Sequence, residues 1–326
     1  MALRRMLGQA MFIPPPPLTQ QNLADQTGKV HIVTGGYAGV GHELVQILYA
    51  KNATVYSAGR SESKATKSIE AIKAAYPNSK GKLYFLFVDL SDLSTIKASA
   101  EEFISKETRL DVLTNNAGIM WPPKGTKSVQ GYEAQMGTNC LGPFLFTLCL
   151  YPLLKSTAAQ SPAGSVRVTW AGSSAIEGAN EGGVQFESDG SPRVNDVPRK
   201  DYAQSKIGNV FLAAEASRRY GKDGIISVAW NPGNLKSELQ RHAGSVARFV
   251  MTPLLYPPIF GAYTELYAGW SDDINLTNNG CYIIPWGRFG EMRPDFATSM
   301  KGTDEGGSGV SAQFWDWCVE VTRKYA

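Results

Sequence analysis

The sequence predicts an α/β fold: a doubly wound, mostly parallel sheet with helices on both faces, in a single domain carrying substrate-loop and C-terminal extensions. Three observations lead there. Short apolar runs alternate with longer amphipathic ones from residue 29 onward, the pattern of βαβ units. The first apolar run passes straight into a glycine-rich turn, Thr34-Gly35-Gly36-Tyr37-Ala38-Gly39-Val40-Gly41, and then into a helix. Glycine supplies 33 of 326 residues, above the usual ~7%, an excess that α/β sheets place in tight turns and ligand loops.

The elements follow in order. Residues 30–34 read as the first strand and 40–50 as a helix with Leu44, Val45, Ile47 and Leu48 on its buried side. Residues 53–57 are the second strand, and 64–76 the helix after it. Strand three covers 83–88, a helix 94–105, and strand four begins at 112–114. A long helical region spans 132–154, then strand five at 165–170, a helix at 201–220 and strand six at 225–230. A helix over 258–270 and a terminal one over 310–325 complete the chain, the last with Phe314, Trp317 and Val321 at i, i+3, i+7. The organisation expected is an extension over 1–27, the sheet domain over 28–285, and a C-terminal extension and helix over 286–326. Two long irregular stretches, 174–200 and 234–257, follow strands at their carboxyl ends. Ligands sit there in doubly wound sheets, so both are candidate substrate covers.

Composition excludes several classes. With 43% hydrophobic and 19% charged residues, the chain is neither disordered nor collagen-like. A net charge of +3, from 32 basic and 29 acidic residues, is too balanced for a nucleic-acid partner. Cys140, Cys149, Cys281 and Cys318 form no CxxC, so reduced thiols and a cytoplasmic location are expected. His31, His42 and His242 have no ligand spacing, and no metal is expected. No run of ~20 uninterrupted apolar residues occurs, so no membrane span is expected. Arg4 and Arg5 with no acid before Asp25 leave a short transit peptide as one reading of the N-terminus. Residues 14–17 are four prolines; they favour polyproline II, and read as a stiff spacer before the first strand rather than a docking peptide for an SH3 or WW domain.

In the first turn, Gly35 allows a tight bend, Gly39 lets backbone approach a pyrophosphate, and Gly41 lets the helix pack close to the strand. The helix start adds free N–H groups and positive dipole charge. Further motifs accumulate in order: Asn115-Asn116-Ala117-Gly118, Asn139-Cys140-Leu141-Gly142-Pro143-Phe144, Gly172-Ser173, Tyr202-Ala203-Gln204-Ser205-Lys206, and Pro232-Gly233 with Ser237. With these six motifs the chain resembles the short-chain dehydrogenase/reductase superfamily over about residues 28–270, which implies a Rossmann-like fold. It looks most similar to the retinol-dehydrogenase-like and WW-domain-oxidoreductase-like branch, without a WW domain, and is similar to fungal secondary-metabolism reductases. The interval of 29 positions from Ser173 to Tyr202 exceeds that of the simplest members, and that branch has a similar insertion.

The resemblance implies a catalytic tetrad. Tyr202 would exchange the substrate proton, Lys206 would lower its pKa and bind the nicotinamide ribose, Ser173 would hydrogen-bond the substrate oxygen, and Asn139 would hold a water linking Lys206 to solvent. It also implies nucleotide contacts from Gly35, Tyr37, Gly39, Val40, Gly41, Leu90, Asn116, Ala117, Gly118, Pro232, Leu235 and Ser237. Asp89 resembles the adenine contact of the family, and a helix cap near Ser91 is its other reading. Tyr202 and Lys206 are four apart and share a helix face. Bringing a phenol from ~10 to about pH 7 needs roughly 3 units, or about 4 kcal/mol, much of which a neighbouring ammonium can supply.

Strand two ends Ser57-Ala58-Gly59-Arg60. NAD enzymes usually place an acid near Gly59, whereas Arg60 suits a 2′-phosphate. NADP(H) is therefore the expected cofactor, with Lys64 as a second cation. Trp121, Phe249, Met251, Leu254, Leu255, Tyr256 and Phe260 suggest an apolar ketone, aldehyde or alcohol, and NADP(H) in a reducing cytosol favours carbonyl reduction. The rival readings are a redox-silent cyclase or isomerase on this scaffold and an interaction protein. A homodimer through the helices at 132–154 and 201–220 is possible, unless the C-terminal region covers them.

Overall fold

The computed structural model describes residue 5, residues 8–236 and residues 255–326. The eight strands are β1 (Val30–Thr34), β2 (Thr54–Gly59), β3 (Lys82–Phe87), β4 (Val112–Asn115), β5 (Val166–Ala171), β6 (Ile225–Trp230), β7 (Tyr282–Ile284) and β8 (Arg288–Phe289). They form one sheet in the order β3-β2-β1-β4-β5-β6-β7-β8. Neighbours from β3 to β7 are parallel, and only β8 runs antiparallel, on β7. Central strands read as continuous apolar runs because both faces are covered: every residue of β1, β5 and β6 is buried.

The helices are α1 (Gly39–Ala50), α2 (Glu62–Ala75), α3 (Ile96–Lys106), α4 (Ala134–Ala159), α5 (Pro198–Tyr220), α6 (Pro258–Trp270), α7 (Pro294–Met300) and α8 (Val310–Thr322). Alternation along β1 sets the two layers. Val30 and Ile32 join the larger core with Phe103 of α3, Phe144 of α4, Phe211 of α5 and Phe314 of α8. Val33 points the other way, into a core with Leu44 and Leu48 of α1 and Leu266 of α6. The predicted doubly wound sheet is therefore present, with one helical layer on each face.

β1, β6 and α6 match the sequence expectation at both ends, while the other strand and helix edges differ from it by a few residues. β7 and β8 are not foreseen, since three and two residues are too few to show a period. The expected division after residue 285 falls between β7 and β8, which pair Ile283 with Phe289 and Ile284 with Arg288. The buried stripe of α8 is Phe314, Trp315, Cys318 and Thr322. Trp317 and Val321, expected beside Phe314, sit half-buried at its edges, because the packed face follows i, i+4, i+8.

α4 is long and apolar enough to cross a membrane, yet it is mostly buried, as a core helix is. It is not one regular helix: a π-segment, Gly137–Leu141, joins the turn Ala134–Met136 to Gly142–Ala159. Gly142 is required there, since a Cβ would lie 2.4 Å from the Leu90 carbonyl. The stretch after β5 opens with a 3₁₀ turn, Ser174–Gly178. The second irregular stretch is closed at its base by a bridge between Leu235 and Tyr256.

Candidate active site

The glycine turn after β1 is a cradle kept open by its side chains' absence. Gly35 (φ +68°) and Gly39 (φ +54°) adopt left-handed conformations that favour glycine. A Cβ on Gly41 would stand 2.5 Å from the Asn116 amide nitrogen and 2.7 Å from the Gly35 carbonyl. Asn116 itself is a strut: its Nδ2 donates to the Thr34 carbonyl at 2.7 Å, and Thr34 Oγ1 accepts from Ala117 N–H at 3.0 Å. Val40 and Leu235 converge on Gly261 of α6, where a Cβ would meet both side chains. Thus α6 ties the glycine turn to the Pro232-Gly233 turn.

A cleft opens beside this cradle between the ends of β1, β2, β3 and β4. Gly35, Arg60, Asp89, Leu90, Ala117 and Gly118 line it. Gly59 has no room for a side chain, because the Tyr37 ring lies over it: a Cβ would be 2.6 Å from Cε1 and 2.7 Å from the phenol oxygen. Tyr37 is held there by the Ser61 N–H, which donates to its phenol oxygen at 3.4 Å. The acid that would grip a ribose 2′-hydroxyl is therefore excluded at Gly59, and exposed Arg60 is the cation at this edge. Lys64 is exposed in the first turn of α2 and does not line the cleft. Asp89 Oδ1 accepts from Ser91 N–H at 2.9 Å and from Ser91 Oγ at 2.6 Å. The helix cap is Asp92, so the capping role considered for Asp89 is taken by its neighbour three residues on. The open, glycine-lined cradle with a cation at its rim fits a phosphate-bearing dinucleotide.

At the carboxyl end of β5 the structure brings Ser173, Tyr202, Lys206 and Asn139 together. α5 carries Tyr202 and Lys206 one turn apart, both buried. Burial pushes the Tyr202 phenol up to about 12, against a smaller lowering influence of the Ser173 hydroxyl. Burial pulls Lys206 down to about 8. Lys206 Nζ donates to the Ala171 carbonyl at 3.0 Å and stands 5.6 Å from the Tyr202 ring centroid. In the chain alone, desolvation dominates both groups.

Asn139 lies on the π-segment, where main-chain groups leave the regular helical ladder. Its Oδ1 accepts from Ile119 N–H at 2.8 Å, and its Nδ2 donates to the Ile119 carbonyl at 3.0 Å and to Ser205 Oγ at 3.0 Å. It braces the turn after β4 against α5. Gly118 must be small here, since its Cβ would stand 3.0 Å from Asn139 Oδ1 and 3.4 Å from Lys206 Nζ.

Two residues missed by the motif reading belong to this group. Asn209 Nδ2 donates to the same Ala171 carbonyl as Lys206, at 2.9 Å. Tyr282 of β7 donates its hydroxyl to the Ser173 carbonyl at 3.0 Å. The Asn209 signal was present as an i+3 neighbour of Lys206; Tyr282 lies 109 positions from Ser173 and had none. Of the apolar residues expected to meet substrate, Tyr256 and Phe260 pack on Trp286 at centroid distances of 4.9 and 5.1 Å, beside Gly233. Leu255 is half-buried next to them. Trp121 (φ +53°) carries the Arg199 guanidinium over its ring at 4.8 Å. Ser237, Phe249, Met251 and Leu254 lie outside the described residues.

This combination of a doubly wound sheet, a glycine cradle and a buried Ser-Tyr-Lys group defines a dinucleotide-dependent type of oxidoreductase site. The family model for short chain dehydrogenase matches residues 29–169. A short-chain dehydrogenase/reductase of Phomopsis amygdali is 47% identical over 320 residues, covering 97% of this chain and 96% of that protein. The short-chain dehydrogenase/reductase bet4 of Neocamarosporium betae is 41% identical over 321 residues, covering 97% of this chain and 92% of that protein. A solved structure of a Mycobacterium paratuberculosis protein shares the fold with a TM-score of 0.65 at 24% identity, over 94% of this chain and 97% of that one. The chain belongs to the short-chain dehydrogenase/reductase family and is an oxidoreductase of that family.

Proposed function

We propose that this chain is an NADP(H)-dependent enzyme that reduces a ketone or aldehyde carbonyl of an apolar small molecule, with Tyr202 as proton donor. The observation that carries the reading is the convergence of Ser173, Tyr202 and Lys206 in one buried group beside a glycine-lined cleft. When bound, the nicotinamide nucleotide supplies the hydride. The turn from Gly35 to Gly41 would hold its pyrophosphate, Arg60 its 2′-phosphate, and the Asp89–Leu90 edge its adenine.

The chain's own residues do the rest. Ser173 donates a hydrogen bond to the substrate oxygen, and Tyr202 passes its proton to that oxygen as negative charge builds on it. A phenol held at about 12 is protonated at neutral pH, which is the state a donor needs. Alcohol oxidation would need the phenolate, so it should gain as pH rises. Lys206, charged below about 8, stabilises the phenolate that proton donation leaves behind. Tyr256, Phe260 and Trp286 support an apolar substrate. Four free thiols support a reducing, cytoplasmic setting. The fungal relatives support a place in secondary metabolism.

The test is NADPH consumption across a series of aliphatic and aryl ketones, with Tyr202→Phe alongside. Turnover that falls by about 100-fold or more in the variant, while NADPH still binds, supports the reading. Turnover that survives the substitution overturns Tyr202 as donor.

A further inference from the structure

The segment before β1 is tied to the body of the fold at several described residues. Trp270 Nε1 donates to Gln26 Oε1 at 3.1 Å and the Tyr263 hydroxyl to Gln20 Oε1 at 2.7 Å. Between these ties, residues 26 to 20 climb along α6, with Leu23 buried against it. Leu18 then packs against two core clusters. Past the proline run the chain reaches the carboxyl ends of β5 and β6. There Gln9 is 5% exposed, and its Oε1 accepts from Asn231 Nδ2 at 2.8 Å. Asn231 also holds the Pro232-Gly233 turn, through its Oδ1 and the Gly233 N–H at 3.0 Å. Arg288 Nη2 donates to the Gly8 carbonyl at 2.9 Å. Arg5 then meets Glu177 as a fork, Nε to Oε1 at 3.1 Å and Nη2 to Oε2 at 3.2 Å.

Both anchors bond to turns that border the site. Glu177, whose side chain is 4% exposed, lies in the 3₁₀ turn that Ser173 caps. Tyr282, bonded to the Ser173 carbonyl, lies within electrostatic reach of both Glu177 and Tyr202. A fork of this kind is among the strongest side-chain contacts, and removing Arg5 would leave a buried carboxylate unpaired.

We propose that the strap at Arg5 and Gln9 is a wall of the substrate site, and that these two residues determine specificity by limiting what reaches Tyr202. The inference rests on the reductase reading and adds a boundary to the pocket. Gln9 is bonded at the Pro232-Gly233 turn and Arg5 at the turn that Ser173 caps, so a substrate entering between those turns would meet both side chains. Small ketones should be affected little by its loss, and bulky ones should gain access.

The experiment uses full-length protein carrying Arg5→Ala and Gln9→Ala together, with Arg5→Lys as a milder variant. Iodide quenching of bound NADPH fluorescence reports how open the site is. Hydrogen exchange over 173–178 and 231–235 reports the anchors without any nucleotide. The proposal expects NADPH affinity unchanged, a quenching constant raised by about threefold or more, and faster exchange at both segments. It also expects bulky aryl ketones to gain in kcat/KM relative to 2,3-butanedione. Equal quenching and equal exchange in the variants overturn it. If no form binds NADPH, the cofactor reading falls, and hydrogen exchange alone decides whether the strap is anchored.

Discussion

Lys206 and Asn209 donate to one acceptor, the Ala171 carbonyl, at 3.0 and 2.9 Å. That carbonyl ends β5, two residues before Ser173. The shared acceptor locks the face of α5 that carries Tyr202 to the strand that carries Ser173. Asn209 is thus a positioning residue. Asn209→Leu removes one hydrogen bond of about 0.5–1.5 kcal/mol, which predicts a fall in kcat of roughly 2- to 10-fold with little change in NADPH affinity. A purely structural role would lower the melting temperature and leave the pH profile of kcat unmoved. Positioning predicts that the profile shifts as Lys206 is released.

The same geometry makes Lys206 costly to the fold. Burial lowers it from 10.5 to about 8, so the penalty for charging it is fully present below about pH 8. The penalty fades as pH rises toward 10.5, where the unfolded chain also loses the proton. The shift sets an upper bound of about 3 kcal/mol. Lys206→Met should abolish turnover yet raise stability at pH 7, with a much smaller gain at pH 10.5. Urea unfolding at the two pH values checks this. Ala171 keeps Asn209 as a donor, so no buried acceptor is orphaned.

Glu265 presents the opposite sign. It is fully buried on α6, and among the described residues neither carboxyl oxygen has a hydrogen-bond partner. Burial raises its pKa well above the ordinary 4.5. The folded chain therefore holds a proton that the unfolded chain releases, and stability falls as pH rises above 4.5. Glu265→Met should stabilise the protein most near neutral pH and least near pH 4.5. Melting curves across that range give the slope, and a gain independent of pH would contradict the burial argument.

The terminal helix packs on both helices considered for a dimer face. Trp315 packs on Phe144 of α4 and Tyr220 of α5 at centroid distances of 4.8 and 5.7 Å. Gly208 of α5 leaves room for Phe314, which a Cβ would approach to 3.0 Å. α8 of the same chain thus occupies part of the face of each helix considered for self-association. A 35.4 kDa monomer in solution is the expected result of light scattering. Trp315→Ala should cost about 3–5 kcal/mol, and any dimer that the variant forms would report the uncovered face.

How much of this was legible in the sequence follows from locality. The glycine turn, the Tyr202–Lys206 pair and the missing acid at Gly59 are each a few residues long, so their chemistry is written in order along the chain. The reason Gly59 must be glycine is not: it is the Tyr37 ring, 22 positions earlier, folded over it. Tyr282 and Gln9 are invisible for the same reason. Each acts through a partner more than 100 positions away, and only the sheet order places it there. The ties of Arg5, Gln9, Gln20 and Gln26 are hidden likewise, since each partner lies more than 100 positions further along the chain. The π-segment at Asn139 has no compositional mark either.

The most direct test of the central claim needs no substrate. Purified protein is titrated with NADPH and with NADH, following nicotinamide fluorescence, with Arg60→Ala alongside. The account predicts NADPH binding at least about tenfold tighter than NADH, and loss of that gap in the variant, as one charge-assisted phosphate contact of about 1.5–3 kcal/mol requires. Failure of both nucleotides to bind at high micromolar concentration would contradict it, and would leave the Ser173–Tyr202–Lys206 group on a redox-silent scaffold.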